Sequence, residues 1–359
     1  MVLCLLALPA WAVETMRISM GPPTRSITVS ARSLAYGPDS EEGPFVALKG
    51  ASVRLRVAHG KLLLNGAPVV GDAIRFRVGS QASAKVPGTL PIRAGKSEVR
   101  GDIVVRPVRG RLQLINVLPL EEYLGAVLGG EMPASFPLEA LKAQAVAART
   151  YAVQKKLSSL GEPYYLGSSV LSQVYAGISR EDPRTRQAVE ATRGMLLTYE
   201  LQPIEAYFHA SCGGRTESGS DALGRALPYL KPVDCPCGKL KRSHWSLKVS
   251  RDTLEKALGG SAGSLEVLSR TSTGRVRRIE VGTHRMDAAT FRAKLGYSEV
   301  KSLSFTVEKE GEGYLLRGKG YGHGAGMCQW GAKLFADEGW TYQRILAHYY
   351  PGTALQKLY

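Results

Sequence analysis

Beyond its first dozen residues the chain has no apolar run approaching the roughly 20 residues of a membrane-spanning helix. The mature chain is therefore expected to carry no transmembrane segment. It also has no internal repeat with a period of about 20 to 50 residues and no low-complexity tract, which argues against a solenoid. No Gly-x-Ser-x-Gly elbow surrounds Ser211 or Cys212, so neither is expected to act as a hydrolase nucleophile with His209 or His323 as base. Gly320-x-Gly322-x-Gly324 is not followed by Lys-Ser/Thr and lacks a second strand with an acidic ribose partner, which excludes a nucleotide loop. Acidic residues are scarce, 31 Asp and Glu against 47 Lys and Arg, a net charge of +16. Such a surface suits nucleic acid, an anionic membrane or an acidic wall polymer, although a charge excess also simply solvates a protein. Aromatic and basic residues are not interleaved on one face, so nucleic acid is not the expected partner.

Cysteine is sparse as well. Cys4 lies in an apolar segment, Val2–Leu8, followed by Pro9 and the small-x-small pattern Ala10-Trp11-Ala12. Residues 1–12 read as a secretory signal cleaved after Ala12, which predicts an exported protein. Cys212, Cys235, Cys237 and Cys328 then remain. Cys235-Pro236-Cys237 is too close a pair to bridge itself easily. His209, Cys212, Cys235 and Cys237 offer the ligand set of a closed zinc site, while disulfides, with Cys328 as a further partner, fit export equally well.

What is present reads as an α+β chain. From about Met16 to Val105 alternating runs such as Ser52–Val57 and Ala73–Val78, with Asn65-Gly66 and Gly101-Asp102 as turn signals, predict antiparallel strands, and residues 13–96 are expected to form a β-rich domain. Residues 97–359 read as a mixed α+β domain with a loop-rich insertion at 216–245. Its strand Arg111–Val117 leads to a short helix, Glu121–Leu128, and a buried helix runs from Pro137 towards Gly161 with Leu138, Leu141, Ala145, Ala148 and Ala152 along one side. Asp182 before Pro183 suits a helix start.

Glu131 is the residue that calls for explanation. Between Gly129-Gly130 and two prolines it is expected on a turn, partly desolvated among apolar helices, as a general acid requires; a solvated turn carboxylate or a helix-start charge fits the position too. His323, amid glycines, faces either a cleft or a backbone carbonyl, and the glycine density implies close backbone approach to another element or to a ligand.

Four long motifs in one order then resemble the SpoIID/LytB family: Asn116–Leu124, Glu131-Met132-Pro133 through Ala152, Tyr207–Gly214, and Gly320–Ala332, with Ile345–Gly352 at the end. The resemblance covers about residues 97–359. It implies peptidoglycan lytic transglycosylase activity on glycan strands stripped of stem peptides, with enhancement of a wall amidase as the alternative. It places the catalytic acid on Glu131, needs no catalytic cofactor, and assigns substrate contacts to Lys142, Arg149, Tyr207 and Ser211; Tyr321, His323 and Gln329 are further candidate substrate contacts. Lys142 and Arg149, seven apart on one helix face, would bind a lactyl carboxylate, and Tyr321 and Trp330 would stack on sugars. Some family members hold zinc through His and Cys, which favours the His209/Cys212 site. A role in sporulation itself does not transfer.

Overall fold

The computed structural model describes residues 15–79, 90–167, 175, 177–258 and 263–359. The expected signal at 1–12 and Cys4 lie outside the described residues. The protein is α+β and β-rich towards its N-terminus, and its chain forms two compact units. The first comprises the chain up to Ser135, Ala148–Leu196 and Gln356–Tyr359, and the second Phe136–Ala147 and Leu197–Leu355.

In the first unit, alternation builds two antiparallel sheets. Ser52–Ala58 buries Val53 and Leu55 while exposing Ser52, Arg54 and Arg56. It pairs with Lys61–Leu64 on one side and Ser26–Ser30 on the other. Asn65 and Gly66 both take positive φ, 49° and 93°, the conformation a two-residue hairpin between right-twisted strands demands. The other sheet runs Thr15–Ser19, Arg111–Pro119, Asp102–Val108, Ile74–Val78, Leu34–Pro38, Val46–Ala47. It therefore joins strands on both sides of the boundary expected at residue 96. Asp102 is buried in this sheet and accepts from Arg75 at 2.7 Å and Arg77 at 2.9 Å.

Strand Arg111–Pro119 passes directly into the helix Leu120–Glu131, with Pro119 as N-cap. The central helix, Leu138–Ser158, carries seven alanine and leucine positions with no exposure, including Ala140, Leu141, Ala145 and Ala148. It is buried nearly all round rather than along one stripe, and alanine permits that closeness. Asp182 caps Pro183–Ala191, its carboxylate accepting from the Arg184 N–H at 2.8 Å.

Within the second unit, residues 244–319 form a module with its own core, in which Trp245, Leu254, Ile279, Phe291, Phe305 and Leu316 are buried together. One three-stranded sheet orders His244–Val249, Gly313–Lys319, Phe305–Glu310; the other orders Leu265–Arg270, Val276–Val281, His284–Asp287. The segment 216–245 is loop-rich, with one short helix, Gly219–Leu223, and two 3-10 turns. Among the described residues no helix is long and apolar enough to cross a membrane.

Candidate functional site

Glu131 is the last residue of the helix Leu120–Glu131 rather than a residue of the turn beyond it. Gly129 serves close packing within that helix: a Cβ there would lie 1.8 Å from the Arg180 carbonyl oxygen. Met132 closes the helix by donating to the Leu128 carbonyl. The carbonyl end of a helix carries partial negative charge and is an unfavourable place for an anion. Glu131 also acts on Tyr123, whose phenol is pushed well above its usual range by burial first and by the Glu131 charge second.

Arg149 does not face a ligand. It is fully buried, its Nε and Nη2 donating to the two Glu121 carboxylate oxygens at 2.8 and 2.7 Å. The Val189 carbonyl accepts from the same guanidinium at 3.1 Å. A planar fork matched to a partly buried carboxylate is a structural pair, and the expected lactyl contact is corrected accordingly. Helical spacing placed Arg149 and Lys142 on one side but could not say what packs there. Lys142 is partly buried, donates to Glu139 at 2.7 Å and lies 5.9 Å from the Tyr342 ring centroid.

The glycine loop after Lys319 packs against the segment Tyr207–Cys212. Its glycines fit another element, not a ligand: a Cβ at Gly326 would meet the Tyr207 carbonyl oxygen at 2.0 Å, and one at Gly322 the His209 Cβ at 2.7 Å. Phe208–His209 pairs in parallel with Met327–Cys328, and Ser211 bridges Tyr321. Two histidines hold this loop through one residue. The Ala325 N–H donates to His323 Nδ1 at 3.1 Å, and the Ala325 carbonyl lies 3.0 Å from His209 Nδ1. His323 must then carry its proton on Nε2, which donates to the Phe208 carbonyl at 3.0 Å. With both nitrogens committed to backbone, His323 is a loop clamp rather than a substrate contact. Burial lowers its pKa to about 4, and burial together with His323 and Arg275 holds His209 well below the usual range.

The remaining candidates separate by exposure. Tyr321 is 47% exposed and can stack on a ligand. Tyr207 is half-buried and donates to Glu205 at 2.9 Å; burial, then that bond, raises its pKa. Ser211 and Gln329 are buried. The Ser211 hydroxyl is 2.9 Å from that of Ser243 and donates to Cys237 Sγ at 3.5 Å, so it supports the thiols instead of a substrate. Gln329 opens the helix Gln329–Asp337 from a buried position, which removes it as a surface contact. Trp330 already stands under the Arg242 guanidinium, 4.2 Å from its ring centroid, and edge-on to Phe136 at 4.8 Å.

Cys212, Cys235, Cys237 and Cys328 converge, buried, with all four Sγ atoms within 4.8 Å of one another. None is in a disulfide; Cys212 and Cys237 stand 3.3 Å apart. Cys328 takes the place expected of His209, whose Nδ1 is turned to Ala325. A tetrahedron with Zn–S of about 2.3 Å sets its sulfurs about 3.8 Å apart, so the donor set fits a closed zinc site. Its surroundings fit thiolates too. Cys328 Sγ accepts from the N–H groups of Cys212 and Gly331, both at 3.3 Å, and Tyr349 Oη lies 3.2 Å from Cys235 Sγ. Hydrogen bonds from the neighbouring thiols hold Cys237 low, while burial pushes Cys212 and Cys328 up.

Sequence reasoning missed three supports. Cys328 as a cluster member left no spacing signal, being 116 residues from Cys212. Buried Glu205 is paired with Arg225 and receives the Tyr207 hydroxyl. Buried Arg275 donates to the carbonyls of Cys212 and Arg215 at 2.9 and 2.8 Å, and Gly324 packs on its guanidinium.

The chain is similar to known proteins over much of its length. The family model described as stage II sporulation protein matches residues 108–199, and one described as a domain of unknown function matches residues 242–326. The chain is 33% identical over 311 residues to stage II sporulation protein D of Bacillus subtilis (strain 168), spanning 79% of this chain and 90% of that one. It is 35% identical over 262 residues to an uncharacterized protein of Brachyspira hyodysenteriae (strain ATCC 49526 / WA1), spanning 71% of each. An amidase enhancer of Bacillus subtilis (strain 168) is 31% identical over 290 residues, 65% of this chain and 40% of that protein. Fold and likeness together define an α+β protein with sporulation-type relatives along most of its length. The chain belongs to the stage II sporulation protein D (SpoIID) family.

Proposed function

We propose that this is an exported cell-wall protein that cleaves peptide-free glycan strands as a lytic transglycosylase, with Glu131 as its acid. The observation that carries the reading is Glu131 at the carbonyl end of its helix, in the Glu-Met-Pro motif of the family. The carbonyl end of a helix does not stabilise an anion, and Glu131 is the one carboxyl of that motif. Lytic cleavage needs only one such group. The acid protonates the departing glycosidic oxygen, the C–O bond breaks, and the muramic acid's own C6 hydroxyl closes on C1, returning its proton to the same carboxylate. Within the second unit, exposed Tyr321 offers a stacking face, and Lys142 and Tyr207 offer polar groups. The four thiols hold a structural zinc ion in this reading, which would fix the Tyr207–Cys212 segment against the glycine loop.

A second reading, enhancement of a wall amidase without catalysis, is favoured by the likeness to the amidase enhancer. Digestion of peptide-free and intact peptidoglycan, followed by mass analysis of the new ends, separates the two. Anhydromuramic ends from the peptide-free strands are expected. Stimulation of an amidase with no such ends would leave only the second reading.

A further inference from the structure

The module matched at residues 242–326 carries a groove that the chemistry above does not use. In its outer sheet His244 pairs with Lys319, Ser246 with Arg317, and Arg317 with Thr306. Side chains alternate across a strand, so these residues share the solvent face, while Trp245 and Phe305 turn into the module's core. Arg270 reaches over the edge strand and donates to the carbonyls of Gly274 at 2.8 Å and Phe305 at 3.1 Å. Between them lies a groove of about 620 Å³, lined also by Ser304, Thr273 and Trp245.

Its chemistry is one-sided. Arg270, Arg317 and Lys319 stand among hydroxyls. Arg317's acidic neighbour Glu308, at 3.2 Å, forms a pair more than half exposed on both sides. An exposed pair of that kind contributes little and yields readily to a better acceptor. The Lys319 ammonium makes no ion pair among the described residues. The indole N–H of Trp245 is buried without an acceptor. Residues 242–326 hold 15 Lys and Arg against nine Asp and Glu, six net positive charges. Position matters as much as charge. The strand Gly313–Lys319 enters the glycine loop directly, so Lys319 and exposed Tyr321 are separated by at most about 7 Å of chain.

We propose that this groove is an accessory binding site for an acidic glycan, taking the lactyl carboxylates of peptide-free muramic acid on Arg317, Lys319 and Arg270 and sugar hydroxyls and acetamides on Ser246, Ser304 and Thr306. It rests on the reading of the substrate as peptide-free glycan and extends the path of that strand beyond Tyr321. Guanidinium suits the role because its planar fork matches a carboxylate with two hydrogen bonds.

The test uses the full chain and three probes: peptide-free glycan strands, the same strands with their carboxylates converted to neutral amides, and single-stranded DNA of equal charge. R317E/K319E is expected to bind the natural strands at least tenfold more weakly, with its thermal unfolding unchanged. Wild-type protein is expected to bind the amidated strands as weakly as the variant binds the natural ones, an arm that depends on no variant folding. Equal binding of natural and amidated strands, or an unchanged affinity in the folded variant, would overturn the proposal. So would DNA bound as tightly as glycan with the same loss on substitution, since that marks a general polyanion surface. Binding is scored apart from cleavage. A wild type that binds through the groove but makes no anhydro ends overturns the transglycosylase reading alone, whereas cleavage with unchanged binding in R317E/K319E overturns the groove alone.

Discussion

Two buried polar clusters, one in each unit, are satisfied in opposite ways. Around Arg149 in the first unit, one guanidinium meets one carboxylate in a bidentate pair, and its remaining donors face the Val189 and Met195 carbonyls. That cluster is neutral and complete. Around Cys328 in the second unit, four sulfurs converge with two backbone N–H groups and two hydroxyls at their edges, and no cation among the described residues within the cluster. Completeness argues that Arg149 is scaffold, and convergence of soft donors fits the proposed zinc site.

The contrast can be broken at either end. Metal removal should have the largest effect. Purified protein is expected to hold one zinc per chain by elemental analysis, and Cys328→Ser to hold almost none and lose amide-exchange protection across the glycine loop, since structural zinc sites can contribute on the order of 10 kcal/mol. If Cys328→Ser kept its zinc while His209→Ala lost it, the site would be the His-containing one. Next comes the ion pair. Glu121→Ala leaves Arg149 charged and buried alone, expected to cost about 3–5 kcal/mol in urea denaturation, whereas Arg149→Met with Glu121→Leu should recover most of it. Normal stability in Glu121→Ala would mean that Arg149 is not held as a structural pair. The smallest effect is the pH response of the histidine clamp. His323 binds its proton near pH 4 when folded and near 6.5 when unfolded. Between those values the unfolded chain takes up the proton first, so stability falls as pH drops from about 6.5 to about 4, by on the order of 3 kcal/mol, and levels off below. His323→Gln, followed by thermal unfolding across that range, should reduce the slope, with the remainder coming from buried His209.

How much of this was legible in the sequence depends on the range of the interaction. Local chemistry reads well. Asp182 before Pro183 caps its helix, Asn65-Gly66 turns its hairpin, and the glycines after Lys319 mark close backbone approach. Glu131 lies one element away from its expected turn, because Gly129-Gly130 look like a turn but belong to the helix, where Gly129 packs against Arg180. Long-range pairing leaves no spacing to read. Arg149 finds Glu121 28 residues back, and Cys328 joins thiols about a hundred residues away, so one was expected to bind ligand and the other was left out of the zinc set. A helical face reports which residues share a side, and only packing decides whether that side meets solvent.

In the proposed transglycosylase, Glu131 alone supplies the proton for cleavage. The most direct test of this is the release of anhydromuramic ends from peptide-free glycan by Glu131→Gln beside wild type, with zinc content and unfolding temperature matched. At least a hundredfold loss of product is expected, in line with removal of a general acid, with glycan binding retained. Undiminished release of anhydro ends by the folded variant would contradict it.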